Sequence, residues 1–262
     1  MAIISLITDF GYKDEYVGLM KAVILKINPK VKIIDLNHEI PPQDVVWANY
    51  LLESSYKFFP KGTIFLCVVD PEVGTKRKIV IVKTKNYIFV SPDNGILTRV
   101  LEKEKPVEII EARNKKFFLP EISPTFHGRD IMASVSAHLS KGIKLSQFGP
   151  PLKEIKKIPL LSPLIKDKSI IGKIIHIDHF GNLVTNIEKD LFNCIVKKKR
   201  LFIEIKNKKI FKINSFYAES KKGEILAIWG SRNLLEISVN LGDAAKELGV
   251  EKNEEVRVNF FD

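Results

Sequence analysis

Three loop segments carry side chains able to do acid–base or anion chemistry; two of them end apolar runs and the third is a dense polar loop that opens a helix. The densest is Asp70-Pro71-Glu72-Val73-Gly74-Thr75-Lys76-Arg77, between Thr63-Ile64-Phe65-Leu66-Cys67 and Ile79-Val80-Ile81-Val82. This pattern predicts a strand, a sharp loop and a second strand. In an open α/β sheet, ligands bind in loops at the carboxyl ends of strands. An arbitrary Asp/Arg pair is a surface ion pair of little consequence. Here the crowding of proline and glycine between Asp70 and Arg77 favours part of a catalytic group, with Glu72 as a solvated neighbour. Asp9 follows the first apolar run, Ile3 to Ile7, and should face the same crevice. There it can accept two hydrogen bonds from a vicinal ribose diol; capping of the following helix is an equal alternative. A phosphatase nucleophile usually has a second Asp two residues on, where this chain has Gly11. His127 sits between Phe126 and Gly128 just before a helix, whose N-terminus favours neutral imidazole. Gly128 leaves room for a small nucleophile or a substrate. Arg129 and Asp130 pair locally in a structural role.

Further on, Ile177-Asp178-His179-Phe180-Gly181-Asn182-Leu183-Val184-Thr185-Asn186 reads as a polar strand-turn sequence. Asp178 can hold an ammonium, Asn182 can read a base edge and Phe180 can stack on one. Gly230-Ser231-Arg232-Asn233 and Glu236-Ile237-Ser238-Val239-Asn240 supply a second polar region. Ser231 and Arg232 suit a substrate carboxylate. Ordinary Asx- and Ser-turn chemistry is the competing reading for both regions. His38 with Glu39, and His176 with Asp178 and His179, raise the question of a metal. Alternation of side chains along a strand keeps the latter three from converging, so no metal is expected. A Gly-rich phosphate loop and a Gly-x-Ser-x-Gly elbow are both absent from the sequence, so no phosphate-rich cofactor is expected. The polar groups suit a molecule with a ribose, a base and an amino-acid end.

The elements that must position these groups are legible in outline. Strands are predicted at 3–7, 31–36 and 63–69, alternating with helices at 14–27 and 43–56, the latter opened by Pro41-Pro42. This order implies a parallel sheet with right-handed crossovers. A hairpin (79–83 and 87–90), a helix (96–102), a strand (107–112) and a helix (131–139) follow. Short strands are predicted at 169–177, 200–205, 209–213, 225–229, 234–239 and 255–259, with one helix at 243–248. They suggest a small barrel or sandwich. The expected organisation is an N-terminal α/β domain over 1–150, with a mostly parallel sheet and helices on both faces. A linker over 151–168 and a smaller C-terminal β-barrel-like domain over 169–262 complete it.

The chain has 262 residues, 45% hydrophobic and 28% charged, with net charge +11. Those values fit a globular protein. Its excess lysines are scattered, with small clusters at 115–116, 156–157, 197–200 and 206–209, and lack an arginine-rich arm or aromatic platform. A solvated lysine surface is therefore expected in place of a nucleic-acid footprint. No apolar run reaches the ~20 residues that span a bilayer, so no membrane partner is expected. Cys67 and Cys194 read as buried free thiols, and a cytoplasmic setting is inferred.

As an ordered set, these segments resemble the S-adenosylmethionine hydroxide adenosyltransferase family, hydrolases related to the bacterial fluorinase and chlorinase. The resemblance is carried by Thr8-Asp9-Phe10-Gly11, His38-Glu39-Ile40-Pro41-Pro42 and Val69-Asp70-Pro71-x-Val73-Gly74-Thr75-x-Arg77. It continues through Pro92-Asp93-Asn94-Gly95, Thr125-Phe126-His127-Gly128-Arg129-Asp130, Asp178-x-Phe180-Gly181-Asn182 and Leu235-Glu236-Ile237-Ser238-Val239-Asn240. The resemblance implies hydrolysis of S-adenosylmethionine to adenosine and methionine without a cofactor. It also implies a homotrimer with active sites between subunits. Asp70, Arg77 and His127 fall on the family's catalytic positions, and Asp9 on its ribose-binding position. Phe126, Gly128, Asp178, Phe180, Asn182, Ser231, Arg232, Glu236 and Val239 are expected to contact substrate. The halogenating relatives have serine at the Gly128 position and tyrosine at the His127 position, and lack the Asp70 carboxylate. The pattern here therefore implies water as nucleophile.

Overall fold

The computed structural model describes residues 2–197 and 199–261; of the lysine cluster at 197–200, Lys198 lies outside the described residues. The chain divides after Leu160 into two compact units. In the first, β1 (Ile3–Thr8), α1 (Tyr16–Ile27), β2 (Lys32–Asn37), α2 (Val45–Ser55) and β3 (Ile64–Val68) alternate as expected. They are followed by β4 (Ile79–Thr84), β5 (Ile88–Pro92), α3 (Thr98–Lys103) and β6 (Pro106–Glu111). The strand order is β2-β1-β3-β5-β4-β6. β2, β1, β3 and β5 run parallel, while β4 is antiparallel to both β5 and β6.

Both faces of this sheet are covered, which is why its central strands read as near-continuous apolar runs. On one face Ile4, Leu6, Leu66 and Val68 pack with Met20 and Ile24 of α1 and with Val135 and Ala137. The last two lie on α4 (Ser134–Ser140). On the other face Phe65 stacks on Phe89 with centroids 5.3 Å apart, and Tyr56 and Tyr87 meet Phe89 nearly edge-on. α2 buries Trp47, Tyr50, Leu51 and Leu52. Consecutive crossovers on opposite faces create a switch point between β1 and β3, where an open α/β sheet forms its ligand crevice.

In the stretch expected as a linker, Leu152 N donates to Ile109 O, Lys156 N to Asp93 Oδ1 and Ile158 N to Thr98 Oγ1. These bonds tie residues 152–158 to the first unit. The remainder includes β7 (Leu164–Lys166), which pairs with β8 (Ser169–Ile177) in the second unit.

The second unit adds β9 (Leu183–Glu188), α5 (Lys189–Val196), β10 (Arg200–Ile205), β11 (Lys208–Ile210) and β12 (Ile213–Asn214). β13 (Ile225–Trp229), β14 (Leu234–Val239), α6 (Ala244–Leu248) and β15 (Glu255–Phe261) complete it. The strand order β11-β10-β15-β8-β9-β14-β13-β12 forms a nearly closed, barrel-like sheet, with β11 returning against β13. Ile174, Leu183, Ile203, Leu235, Ile237 and Val258 fill it. β9 and α5 were not expected. Thr185 and Asn186 make β9 look like a turn, yet both are buried. Asn186 is satisfied there: its Oδ1 accepts from Lys173 N and its Nδ2 donates to Leu161 O. Both cysteines are free; Cys67 is buried as expected, whereas Cys194 is exposed on α5.

Candidate active site

Asp9 and Asp70 follow β1 and β3, neighbours paired in register from Ile4↔Ile64 to Thr8↔Val68. Adjacent parallel strands therefore deliver both carboxylates to the same edge, at the switch point. The end of β3 is held from β5, because Asn94 Nδ2 donates to Val69 O at 2.8 Å. That contact gives the Pro92-Asp93-Asn94-Gly95 motif a positional role.

The 70–77 loop folds on itself. Val73 N donates to Asp70 O, and the Thr75 hydroxyl donates to Glu72 O and accepts from Arg77 N. Gly74 has φ +80°, and a Cβ there would lie 2.4 Å from Pro124 O. Only glycine fits this approach, which seats the loop against the segment that carries His127. Arg77 then turns back on Asp70: its Nε lies 3.0 and 2.9 Å from the two carboxylate oxygens, and its Nη2 also donates to Oδ2. The side chains are 2% and 5% exposed, so this ion pair is nearly dry. Such pairs are geometrically specific, and leaving either partner alone is costly.

Arg77 Nη2 is also 3.0 Å from His127 Nδ1. A guanidinium only donates, so Nδ1 accepts and the neutral ring carries its proton on Nε2. Burial pushes the His127 pKa below the ordinary histidine value, and the positive charge of Arg77 adds to the effect. His127 opens not the expected α-helix from 131 but a π-helical turn, Gly128–Ala133, that runs into α4. Such turns concentrate at functional sites. The turn leaves Asp130 O free to accept from Leu119 N at 2.8 Å. The fully buried Asp130 carboxylate accepts from Ser123 N and from the Arg129 guanidinium. The expected structural pairing of Arg129 and Asp130 is thus a clamp on the segment before His127.

A cavity of 340 Å³ includes Asp9, Asp70, Phe126, His127 and Gly128 among its lining residues. Asp9 Oδ2 accepts from Gln43 N at 2.8 Å, and burial raises its pKa. A Cβ at Gly128 would lie 3.0 Å from Val68 Cγ1, so any larger residue crowds the cavity floor. Phe126 packs edge-to-face on Phe10 and Tyr16, with centroids 5.7 and 5.3 Å away. Tyr16 and Gln43 also line this cavity and escaped the sequence reading. Tyr16 was absorbed into the helical periodicity of α1; the Pro41-Pro42 step was the available signal for Gln43, whose φ is +65°.

In the second unit, Asp178 organises a turn. Its Oδ1 accepts from Phe180 N and Asn182 N, and its Oδ2 accepts from Asn182 Nδ2, which fixes how that amide points. Gly181 is required here, with φ +80° and a would-be Cβ 2.1 Å from Asp243 Oδ1. The Phe180 ring stands 72% exposed beyond the turn, a free face for stacking. Glu236 is buried on β14, and its pKa is raised by burial and held back by the nearby charge of Arg232. Tyr217, missed in the sequence, lies near Glu236: burial and then the charge of Glu236 raise its pKa. Ser231 is exposed at the β13–β14 turn, whereas the Val239 side chain packs into the core. Among the described residues, no group of three or more His, Cys, Asp or Glu side chains is placed to hold a metal ion.

The SAM hydroxide adenosyltransferase N-terminal domain matches residues 4–149, and the C-terminal domain of the same family matches residues 172–257. The chain belongs to this family. A Methanocaldococcus jannaschii relative named (R)-S-adenosyl-L-methionine hydrolase is 36% identical over 98% of this chain and 96% of its own length. A Thermus thermophilus protein of the same name is 32% identical, covering 96% and 97%. A fluorinase from an Actinoplanes species is 33% identical, over 71% of this chain and 72% of its own. An uncharacterised conserved protein from Thermotoga maritima superposes with a TM-score of 0.90 at 39% identity, covering 98% and 99% of the two chains. For this family member, both the α/β unit and the barrel-like unit thus have counterparts of full length.

Proposed function

We propose that the protein hydrolyses S-adenosyl-L-methionine to adenosine and L-methionine by in-line attack of water on the ribose 5′ carbon. The (R)-sulfonium named for its relatives is the substrate form adopted in this reading. The observation that carries the assignment is the nearly dry Asp70–Arg77 pair bonded to the partly buried His127 beside Asp9, at the sheet's switch point. The new bond is oxygen to C5′. The C5′–S bond breaks, its electron pair returns to sulfur as a neutral thioether, and the water loses a proton.

A sulfonium departs without metal or acid assistance, so the barrier lies in supplying an aligned, desolvated oxygen. Positioning of that kind contributes up to about 7–11 kcal/mol. His127 has Nδ1 engaged by Arg77, so it offers Nε2–H as a donor that orients the water. Asp70, with acceptor capacity beyond its bonds to Arg77, is assigned as the proton acceptor. Arg77 holds both in register. Asp9 keeps Oδ1 for the ribose while Gln43 N occupies Oδ2. Asn182 and Phe180 are assigned to the base; Asp178, Ser231, Arg232 and Glu236 to the methionine end. In this reading the protein is a cytoplasmic homotrimer that completes each site with residues of two protomers, uses no cofactor and binds no nucleic acid.

Similarity to a fluorinase supports one rival, a halide nucleophile. Incubation with S-adenosylmethionine in chloride buffer, followed by chromatography, separates them: adenosine and methionine are expected, and 5′-chloro-5′-deoxyadenosine would refute water as nucleophile. A ligand sensor is the other rival. Asp70→Ala should abolish turnover while adenosine still binds; adenosine binding without turnover in both proteins would favour the sensor, and turnover unchanged by the substitution would refute the role given to Asp70. Sedimentation should report three chains per particle.

A further inference from the structure

His38 has no role in the chemistry above, yet its side chain is fully buried and its surroundings are built to hold it. Its Nε2 lies 3.1 Å from Asp35 Oδ1, and Lys21 Nζ holds the other oxygen of that carboxylate at 2.5 Å. The contact lies outside hydrogen-bond angles, but a carboxylate at that distance electrostatically favours the proton on Nε2, which makes Nδ1 the acceptor. Nδ1 is 2.7 Å from the Thr8 hydroxyl, which therefore donates to it while accepting from Phe10 N at 3.3 Å. The backbone carbonyl of His38 also accepts from Gly11 N at 2.7 Å. The Tyr12 ring closes over the imidazole edge-on, centroids 5.1 Å apart. Bonds from one buried residue thus grip positions 8 and 11, on both sides of Asp9, and the Thr8 hydroxyl that it anchors holds Phe10 N.

We propose that His38, oriented by Asp35, is a positioning residue: through the Thr8 hydroxyl and Gly11 N it fixes the turn from which Asp9 reaches the substrate's ribose. The inference rests on the functional reading above for its substrate and deepens it. Asp9 carries the contact; His38 acts only through it. Gln43 N holds the carboxylate from the other side, so the side chain is located by two segments of one loop, His38 and Gln43. The order of the chain fits this division of labour, because the His38–Pro42 motif leads directly to Gln43.

The test is a set of variants read by adenosine and methionine binding, by KM and kcat for S-adenosylmethionine, and by thermal melting. His38→Leu should weaken adenosine binding and raise KM about tenfold, the scale of one hydrogen bond to a charged group. Methionine binding should be unchanged and kcat affected less. His38→Asn, which keeps an acceptor near the place of Nδ1, should recover most of the loss. Thr8→Val, which removes the linking hydroxyl with little change of volume, should reproduce His38→Leu even where the latter folds poorly. In an Asp9→Ala background His38→Leu should cost nothing further, because coupled residues are non-additive. Additive losses in that background, or equal losses for adenosine and methionine, would overturn the inference and leave the hydrolase reading intact. A wild-type protein that neither hydrolyses S-adenosylmethionine nor binds adenosine would overturn both.

Discussion

Arg77 is the residue on which the proposed chemistry turns, because one guanidinium satisfies Asp70 and sets the tautomer of His127. Lysine retains the charge but cannot reproduce that fork. Arg77→Lys should therefore lower kcat by about 10²–10³ with a smaller change in KM, as expected when preorganised groups are misplaced. Steady-state turnover of S-adenosylmethionine checks this; a loss confined to KM would argue against it. His127 provides a second test. Its pKa is lowered by burial and then by Arg77, so the neutral ring persists to a pH below the ordinary histidine value. The acid limb of kcat/KM should fall below ~6.5. A limb above that value would mean that His127 is not the neutral donor inferred from its bond to Arg77.

At the scale of elements, the site is made by two loops locked together. The 70–77 loop meets the 123–127 segment at Gly74, where a side chain has no space beneath Pro124 O. Gly74→Ala should separate the loops, reduce kcat at least about tenfold and lower the melting temperature, since both the positive φ and the 2.4 Å approach are violated. Normal activity with a normal melting curve would show that the loops are not coupled. The elements that make this junction were legible in the sequence where its signals were local. Apolar runs ended by Asp9 and Asp70 marked β1 and β3, and proline and glycine marked the loop. The π-helical turn after His127 was not legible, because it depends on Asp130 O being claimed by Leu119 N, a contact unrelated to helical periodicity. β9 was hidden for a similar reason: Asn186 is polar by type, yet its hydrogen bonds to Lys173 N and Leu161 O make burial tolerable. The proposed site residues fall accordingly. Those ending strands were found from their neighbours in sequence, whereas Tyr16, Gln43 and Tyr217 depend on tertiary placement.

For the whole molecule, the histidines set a pH limit. His38, His127 and His138 all have lowered pKa values, with burial the leading cause. Such a group binds fewer protons in the folded than in the unfolded chain once the pH drops below the unfolded value of ~6.5. Stability should be unaffected by these groups above that pH and should fall as the pH drops below it. Asp9 and Glu236, whose pKa values burial raises, have the opposite sign: their folded forms hold protons longer, so their cost grows as pH rises from the ordinary carboxyl range of ~4. Melting curves across this range should therefore show a decline in stability beginning just below neutrality. His127→Gln should reduce that decline, and an unaltered slope would contradict the depressed histidine. Among the described residues, no helix is long and apolar enough to cross a membrane.

The central claim is that water oxygen becomes the 5′ oxygen of adenosine, displacing methionine at carbon. Turnover of S-adenosylmethionine in water enriched in the heavy oxygen isotope tests it most directly, with both products examined by mass spectrometry. The label should appear in adenosine, at the 5′ position, and be absent from methionine. Adenosine formed without the label, or label recovered in methionine, would contradict attack by water at C5′ and the roles given to Asp70, Arg77 and His127.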